Sequence, residues 1–170
     1  MSNPQTVPEL VARIEAMHER FATTLTRVSN AELEQERLPG GWSGKDLLAH
    51  LAFWDRRLLH AIAPDDGSTA FRLAPPLVAD IPYDDEWVDR VNQRIYQLNH
   101  GRDAAALRME FDQTGRQLRA RVAALSEHDV FDADGLAASL GEPFLPMVTG
   151  AYAHYEEHLP DLEALSKGSS

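Results

Sequence analysis

The 170-residue sequence contains no cysteine and no long apolar run. Without cysteine the chain cannot form a disulfide, use a cysteine nucleophile or offer a thiolate to a metal ion, so any metal site must use nitrogen and oxygen donors. No apolar run approaches the roughly 20 residues that span a bilayer, and the start lacks the basic and apolar segments of an export signal. We therefore expect a soluble, cytoplasmic protein with no membrane partner.

Clusters of lysine and arginine are also lacking, and the formal net charge is -11. Nucleic-acid-binding proteins normally present such clusters to neutralise phosphates. Arg116, Arg119 and Arg121 are close in sequence, but they lie among apolar helical positions, and we expect them to be solvated. We therefore expect no nucleic-acid partner.

The length and the ordinary apolar content, 44% of residues, fit one globular domain over 1–170. We expect an ordered core over about 6–166 and a flexible tail over 167–170. No strand pair, repeat or low-complexity segment stands out. An all-α domain is the fold class that this pattern predicts.

Apolar residues that recur at intervals of three and four residues predict the helices. The first helix opens at Thr6, which forms a capping-box pattern with Glu9. The second opens at Ser43, with Asp46 as its reciprocal partner. Its predicted core-facing stripe is Leu47, His50, Leu51, Trp54, Leu58 and Ile62.

A proline-rich segment from Ala63 to Pro82 predicts a long crossover loop between the second and third helices. The third helix is expected over about 84–99, and the fourth is expected to begin at Asp103. The last helix is expected to kink or restart at Pro160. The predicted inward stripes of the third and last helices are Trp87, Val91, Ile95 and Leu98, and Phe144, Met147, Ala151, His154, His158, Leu162 and Leu165. Long amphipathic helices joined in this way predict a four-helix bundle.

Three of the seven histidines, His50, His154 and His158, occupy positions that the apolar periodicity assigns to the core. His154 and His158 are four residues apart and can bind one ion from adjacent helical turns. His50 on the facing helix would complete a site of neutral imidazoles, which suits nickel, zinc or iron. Three protein ligands leave a position open for water or substrate, as in catalytic sites.

Simpler interpretations stay open for each histidine. A histidine on an apolar stripe is often a core residue with a hydrogen-bond partner, because an unpaired buried polar group is costly. The other four, His18, His60, His100 and His128, lie at polar, turn or helix-end positions, where we expect solvated imidazoles.

The chain resembles the DinB superfamily of DinB/YfiT-like metalloenzymes. The resemblance is carried by Trp42-Ser43 before Leu47-Leu48-Ala49-His50-Leu51 and by His154-Tyr155-Glu156-Glu157-His158-Leu159-Pro160. Asp89, Asn92, Ile95, Tyr96 and Asn99 are similar to the ClbS-type subgroup, which contains colibactin self-resistance proteins. That subgroup does not depend on an intact histidine triad, whereas this chain has one.

The resemblance implies an up-down-down-up four-helix bundle, a homodimer and a divalent metal ion, with nickel or zinc first and iron next. It also implies hydrolysis, or thiol-dependent transfer or isomerisation. Because the chain has no cysteine, a thiol would have to arrive as a low-molecular-weight cosubstrate.

Further site residues follow from helical spacing. Asp46 lies one turn before His50 and Glu157 lies next to His158, so each is a candidate to receive a ligand's second N–H. Capping by Asp46 and solvation of Glu157 are the competing interpretations. The residues predicted to line a substrate pocket are Trp42, Trp54, Asn92, Tyr96 and Asn99.

Three hypotheses remain for the function, and none assigns a catalytic residue. The first is a metal-dependent hydrolase or transferase that acts on a small molecule. The second is a protein of the ClbS type that binds a small molecule or toxin without turnover. The third is a helical scaffold whose histidines are hydrogen-bonded core residues.

Overall fold

A computed structural model describes residues 3–62, 78, 80–140 and 144–166, except for the side chains of 139 and 140. Within these ranges the protein is all-helical, with no strand. The helices are α1 (Val7–Leu25), α2 (Asn30–Leu33), α3 (Gly44–Ile62), α4 (Trp87–Asn99), α5 (Ala104–Ala123), α6 (Glu127–Phe131), α7 (Leu136–Leu140) and α8 (Phe144–Ser166). Most of the predicted crossover loop and the tail lie outside the described residues. None of the described helices is long and apolar enough to cross a membrane.

Side-chain caps start the long helices where the sequence predicts them. Thr6 accepts a hydrogen bond from the Glu9 backbone N–H, and Asp103 caps α5 through Ala105 and Ala106. At the start of α3 the cap is buried: Asp46 Oδ2 accepts hydrogen bonds from both the N–H and the hydroxyl of Ser43. This buried cap fixes the first turn of α3. His50 lies about one turn further along the helix.

Four helices contact each other in a cycle, in which α3 packs against α5, α5 against α1, α1 against α8, and α8 against α3. α4 packs on the outer side of α3. The core lies inside the cycle, because the apolar stripe of each of its helices faces the others. The residues of the α1 stripe, and Val28 just after the helix, are all buried: Val7, Leu10, Ile14, Met17, Phe21, Leu25 and Val28.

The last helix has a different buried face from the one predicted. It runs unbroken from Phe144 to Ser166 and does not restart at Pro160. Its buried residues are Phe144, Val148, Tyr155, Leu159, Leu162 and Leu165. The buried face is thus rotated relative to the predicted stripe, and His154 and His158 lie half-buried at its edge. The apolar residues on α8 are too numerous for periodicity alone to select one face.

Leu98 on α4 was also predicted to face inward, and that prediction is wrong, since the side chain is 49% exposed. α4 buries Trp87, Val91 and Ile95 against α3. Leu98 lies at the end of the helix, beyond the part that packs on α3.

A polar cluster lies in the core between α1, α3, α5 and α8. Tyr155 donates a 2.5 Å hydrogen bond to Asp55, and the ring of His18 stacks on Phe111 with centroids 5.5 Å apart. His18 was expected to be solvated, but it is buried, and its Nε2 has no hydrogen-bond partner among the described residues. Arg119, also expected to be solvated, has a buried Nη1. Burial raises the pKa of Asp55 to about 7.

We expect His18 to make the protein sensitive to acid. Burial, and next the charge of Arg119, lower its pKa from 6.5 to about 4. The unfolded chain therefore binds a proton at a pH where the folded chain does not. The contribution of neutral His18 to stability is complete above pH 6.5 and is lost as the pH falls towards 4.

His18→Leu should therefore lose about 2 kcal/mol less free energy of unfolding than the wild type between pH 7 and pH 5. Urea titrations at both pH values measure the difference. His128→Gln is the control, because the pKa of His128 is raised by its hydrogen bond to Asp132. Identical pH dependence in His18→Leu and the wild type would show that folding does not lower the pKa of His18.

Candidate metal centre

His50 lies on the inner face of α3, one turn after the buried Ser43–Asp46 cap. Its side chain is almost fully enclosed, with the residue 4% exposed. The segment before the cap contains Gly40 and Gly41 at φ 74° and 79°, a left-handed conformation that glycine adopts without strain. This turn brings Trp42 onto His50, with ring centroids 5.4 Å apart.

The three histidines selected from the sequence converge. One ligand nitrogen from each of His50, His154 and His158 lies within 4.8 Å of the others, so the group could hold a metal ion. The Nε2 atoms of His50 and His154 are 2.7 Å apart, a hydrogen-bond distance. Nitrogen ligands of one tetrahedral ion are about 3.3 Å apart. Small side-chain movements would therefore convert this contact into a shared metal site.

The electrostatic environment keeps two of these imidazoles neutral. Burial, and then the charges of His154 and His158, lower the pKa of His50 to about 3. Burial, and then His158, lower the pKa of His154 to about 4. Neutral imidazoles have the free lone pair that a metal ion needs, so the donor set fits a divalent ion at neutral pH.

The carboxylate that orients His158 is Asp161. His158 Nδ1 lies 3.1 Å from Asp161 Oδ2, one turn further along α8. A hydrogen bond there holds the proton on Nδ1 and leaves Nε2 as the nitrogen free to bind an ion. Our sequence reasoning missed Asp161, although its three-residue spacing from His158 is a signal that could have identified it.

The two carboxylates chosen from the sequence have other contacts. Asp46 Oδ2 bonds to the Ser43 cap and lies 3.3 Å from His100 Nδ1, not against His50. His50 Nδ1 is buried and has no hydrogen-bond partner among the described residues. The side chain of Asn92 lies near the His50 imidazole. Glu157 is exposed and lies on the wall of the cavity described next.

The histidine triad forms part of the wall of an open cavity of about 480 Å³, a size typical of small-molecule sites. Apolar and acidic side chains make up most of the remaining wall. The complete set of remaining lining residues is Leu38, Pro39, Trp42, Leu47, Val88, Asn92, Glu157 and Asp161. Neither lysine nor arginine is among these lining residues. A ligand with an apolar body could therefore reach the three imidazoles directly.

The structure separates the five residues predicted to line a pocket. Trp42 and Asn92 are on the wall of the cavity. Trp54 lies behind the histidines, donating a 3.2 Å hydrogen bond to Asn92, and Tyr96 stacks on Trp42 with centroids 6.0 Å apart. Asn99 is not a lining residue; it bonds to the Ile95 carbonyl and to Arg102.

A second group of potential donors, His128, Asp132 and Asp134, lies on the surface in and just after α6. All three residues are exposed. Exposed acidic groups are frequent on protein surfaces and are usually fully hydrated. We assign no ligand to this group.

Comparison with known families gives one finding: the family model of the DinB superfamily matches residues 4–159. The match includes the caps, α1 to α7, and all three converging histidines. Curated proteins gave no significant match, and neither did solved structures.

Proposed function

The chain belongs to the DinB superfamily, and we propose that it is a metal-dependent enzyme, a hydrolase or a thiol-dependent transferase or isomerase, that acts on a small molecule. The observation that carries the proposal is the convergence of three imidazole nitrogens on the wall of an open cavity. Three protein ligands leave at least one coordination position for a ligand from the cavity.

In this proposal His50, His154 and His158 hold one divalent ion, with nickel or zinc expected first. The ion supplies Lewis acidity, which can polarise a carbonyl, activate water or hold a thiolate. Asp161 fixes the ring of His158. The apolar wall around Trp42 excludes water and packs against the body of the substrate.

The proposal also includes the four-helix bundle of the family. Supporting it are the contacts of α1, α3, α5 and α8, each of which packs against two others in the cycle. α3 and α8 are neighbours in this cycle, and they are the helices that carry the triad.

The non-enzymatic alternative rested on the polar side chains of the third helix. In the structure Asn99 and Tyr96 contact Arg102 and Trp42 respectively, and Asn92 alone of that group is a lining residue of the described cavity. Asn92 therefore belongs to the same cavity as the histidines, which supports a single site, and we put forward the enzyme.

The test uses protein purified without a histidine-rich tag. Metal-loaded and metal-free samples are assayed with ester and amide substrates, and with an electrophile plus a low-molecular-weight thiol. We expect turnover that metal removal lowers by at least about 100-fold, since Lewis-acid catalysis contributes several kcal/mol. Turnover that is equal with and without metal would refute the proposal. Metal-independent binding of these compounds without turnover would favour the binding protein.

A further inference from the structure

The helices that carry the triad are joined a second time, deeper in the core. α3 carries both His50 and Asp55, and α8 carries both His154 and Tyr155. The Tyr155 hydroxyl donates a 2.5 Å hydrogen bond to Asp55 Oδ2, and the two residues are 4% and 3% exposed. Within the described part of the chain, this bond and the His50–His154 contact are the two side-chain hydrogen bonds between α3 and α8.

The two contacts constrain different movements. Between His50 and Asp55 the helix rises about 7.5 Å and turns about 140°, whereas Tyr155 follows His154 at about 100° around its helix. The two contacts therefore lie on different faces of the helices and at different heights along them. A single contact would leave α8 free to turn about it, whereas two contacts fix both its rotation and its axial position against α3.

A buried polar pair is suited to this role. Compared with apolar residues of the same shape, such a pair adds little net stability. If one helix slips, however, both polar groups are left unpaired in the core, which raises the free energy of the folded state. A metal site requires ligand distances correct to about 0.2 Å, and one helical turn is about 5.4 Å. We propose that Asp55 and Tyr155 are positioning residues that hold α3 and α8 in the register at which the nitrogens of His50, His154 and His158 converge.

The Tyr155 ring is held by packing contacts that do not involve its hydroxyl group. His18 and Phe21 of α1 and Phe111 of α5 lie against it, with centroid distances of 5.6, 5.3 and 5.7 Å. Tyr155→Phe keeps these contacts and removes the bond to Asp55. The inference rests on the proposed metal site, but the contact between His50 and His154 can also be measured without metal.

The experiment compares Tyr155→Phe with Tyr152→Phe, which removes a hydroxyl from the same helix and leaves the bond to Asp55 intact. Competition with a chelator measures Zn²⁺ affinity, and ¹⁵N NMR of the metal-free proteins reports the imidazoles. In Tyr155→Phe we expect Zn²⁺ affinity to fall by about tenfold or more and the His50 and His154 resonances to shift. Tyr152→Phe should match the wild type in both.

A purely structural role would lower the free energy of unfolding of Tyr155→Phe without changing Zn²⁺ affinity or the imidazole resonances of the folded protein, and that result would overturn the inference. If Tyr155→Phe does not fold, the double variant Asp55→Leu/Tyr155→Phe replaces it, because removing both polar groups leaves neither unpaired. A wild type that binds neither Zn²⁺ nor Ni²⁺ would refute the proposed function. The imidazole spectra of the metal-free proteins would still decide this inference.

Discussion

His50→Ala is expected to abolish stoichiometric metal binding. His50 is the triad's ligand from α3, whereas His154 and His158 share α8. Loss of a partner outside the ligand shell typically weakens metal binding by about 10–100-fold, and loss of a ligand should exceed this. Elemental mass spectrometry should find about one ion per wild-type chain, and close to none in the variant after dialysis.

The matched control is His60→Gln, which removes a half-buried histidine ten residues further along the same helix. This variant should keep the full metal content. Metal removal should also lower the melting temperature of the wild type and of His60→Gln, because a ligand bound only by the folded state stabilises it. Metal content that persists in His50→Ala would contradict the site. A folded, metal-free wild type that refuses added nickel and zinc would favour the binding protein.

Asp161→Asn is expected to weaken metal binding by about 10–100-fold without changing the ligands. Asp161 Oδ2 lies 3.1 Å from His158 Nδ1 and so fixes the tautomer in which Nε2 is free. An amide in its place can present its NH₂ group to Nδ1 and favour the opposite tautomer. The loss of the carboxylate charge also makes His158 a weaker donor. Chelator competition with Zn²⁺ at constant pH measures the change.

Glu157→Gln provides the comparison, because Glu157 was the carboxylate chosen from the sequence beside His158 and is a lining residue of the same cavity. Both substitutions remove one negative charge near the triad. A purely electrostatic effect of the cavity would weaken metal binding equally in the two variants. A specific role for Asp161 requires its substitution to have the larger effect.

Local patterns were sufficient for the helices. The caps at Thr6 and Ser43 form as predicted, and α5 starts after Asp103 as predicted, because each start depends on a side chain and a backbone N–H two or three residues away. The stripe of α1 is buried throughout, because its apolar residues leave one possible inner face. Where apolar residues occupy more than one face, as on α8, the packing partners select the buried face.

The residues around the triad also include some that a local pattern identifies and some that it did not identify. The three histidines could be selected because they interrupt apolar stripes, and because their spacing and order resemble those of the DinB superfamily. The partner of His158 was missed, although helical spacing distinguishes the two carboxylates near it in sequence, Glu157 and Asp161. On a helix a residue three positions away lies on the same side, whereas the adjacent residue points about 100° away.

The sequence by itself determined the helical class, the starts of α1, α3 and α5 and the candidate ligands, because these depend on periodicity and on interactions within one helical turn. Only the tertiary structure decided which faces of α3 and α8 meet, that Asp55 and Tyr155 pair between them, and that Trp42 and Asp161 share a cavity with the triad. Those contacts join residues up to about a hundred positions apart. Their geometry depends on how whole helices pack, which no local pattern specifies.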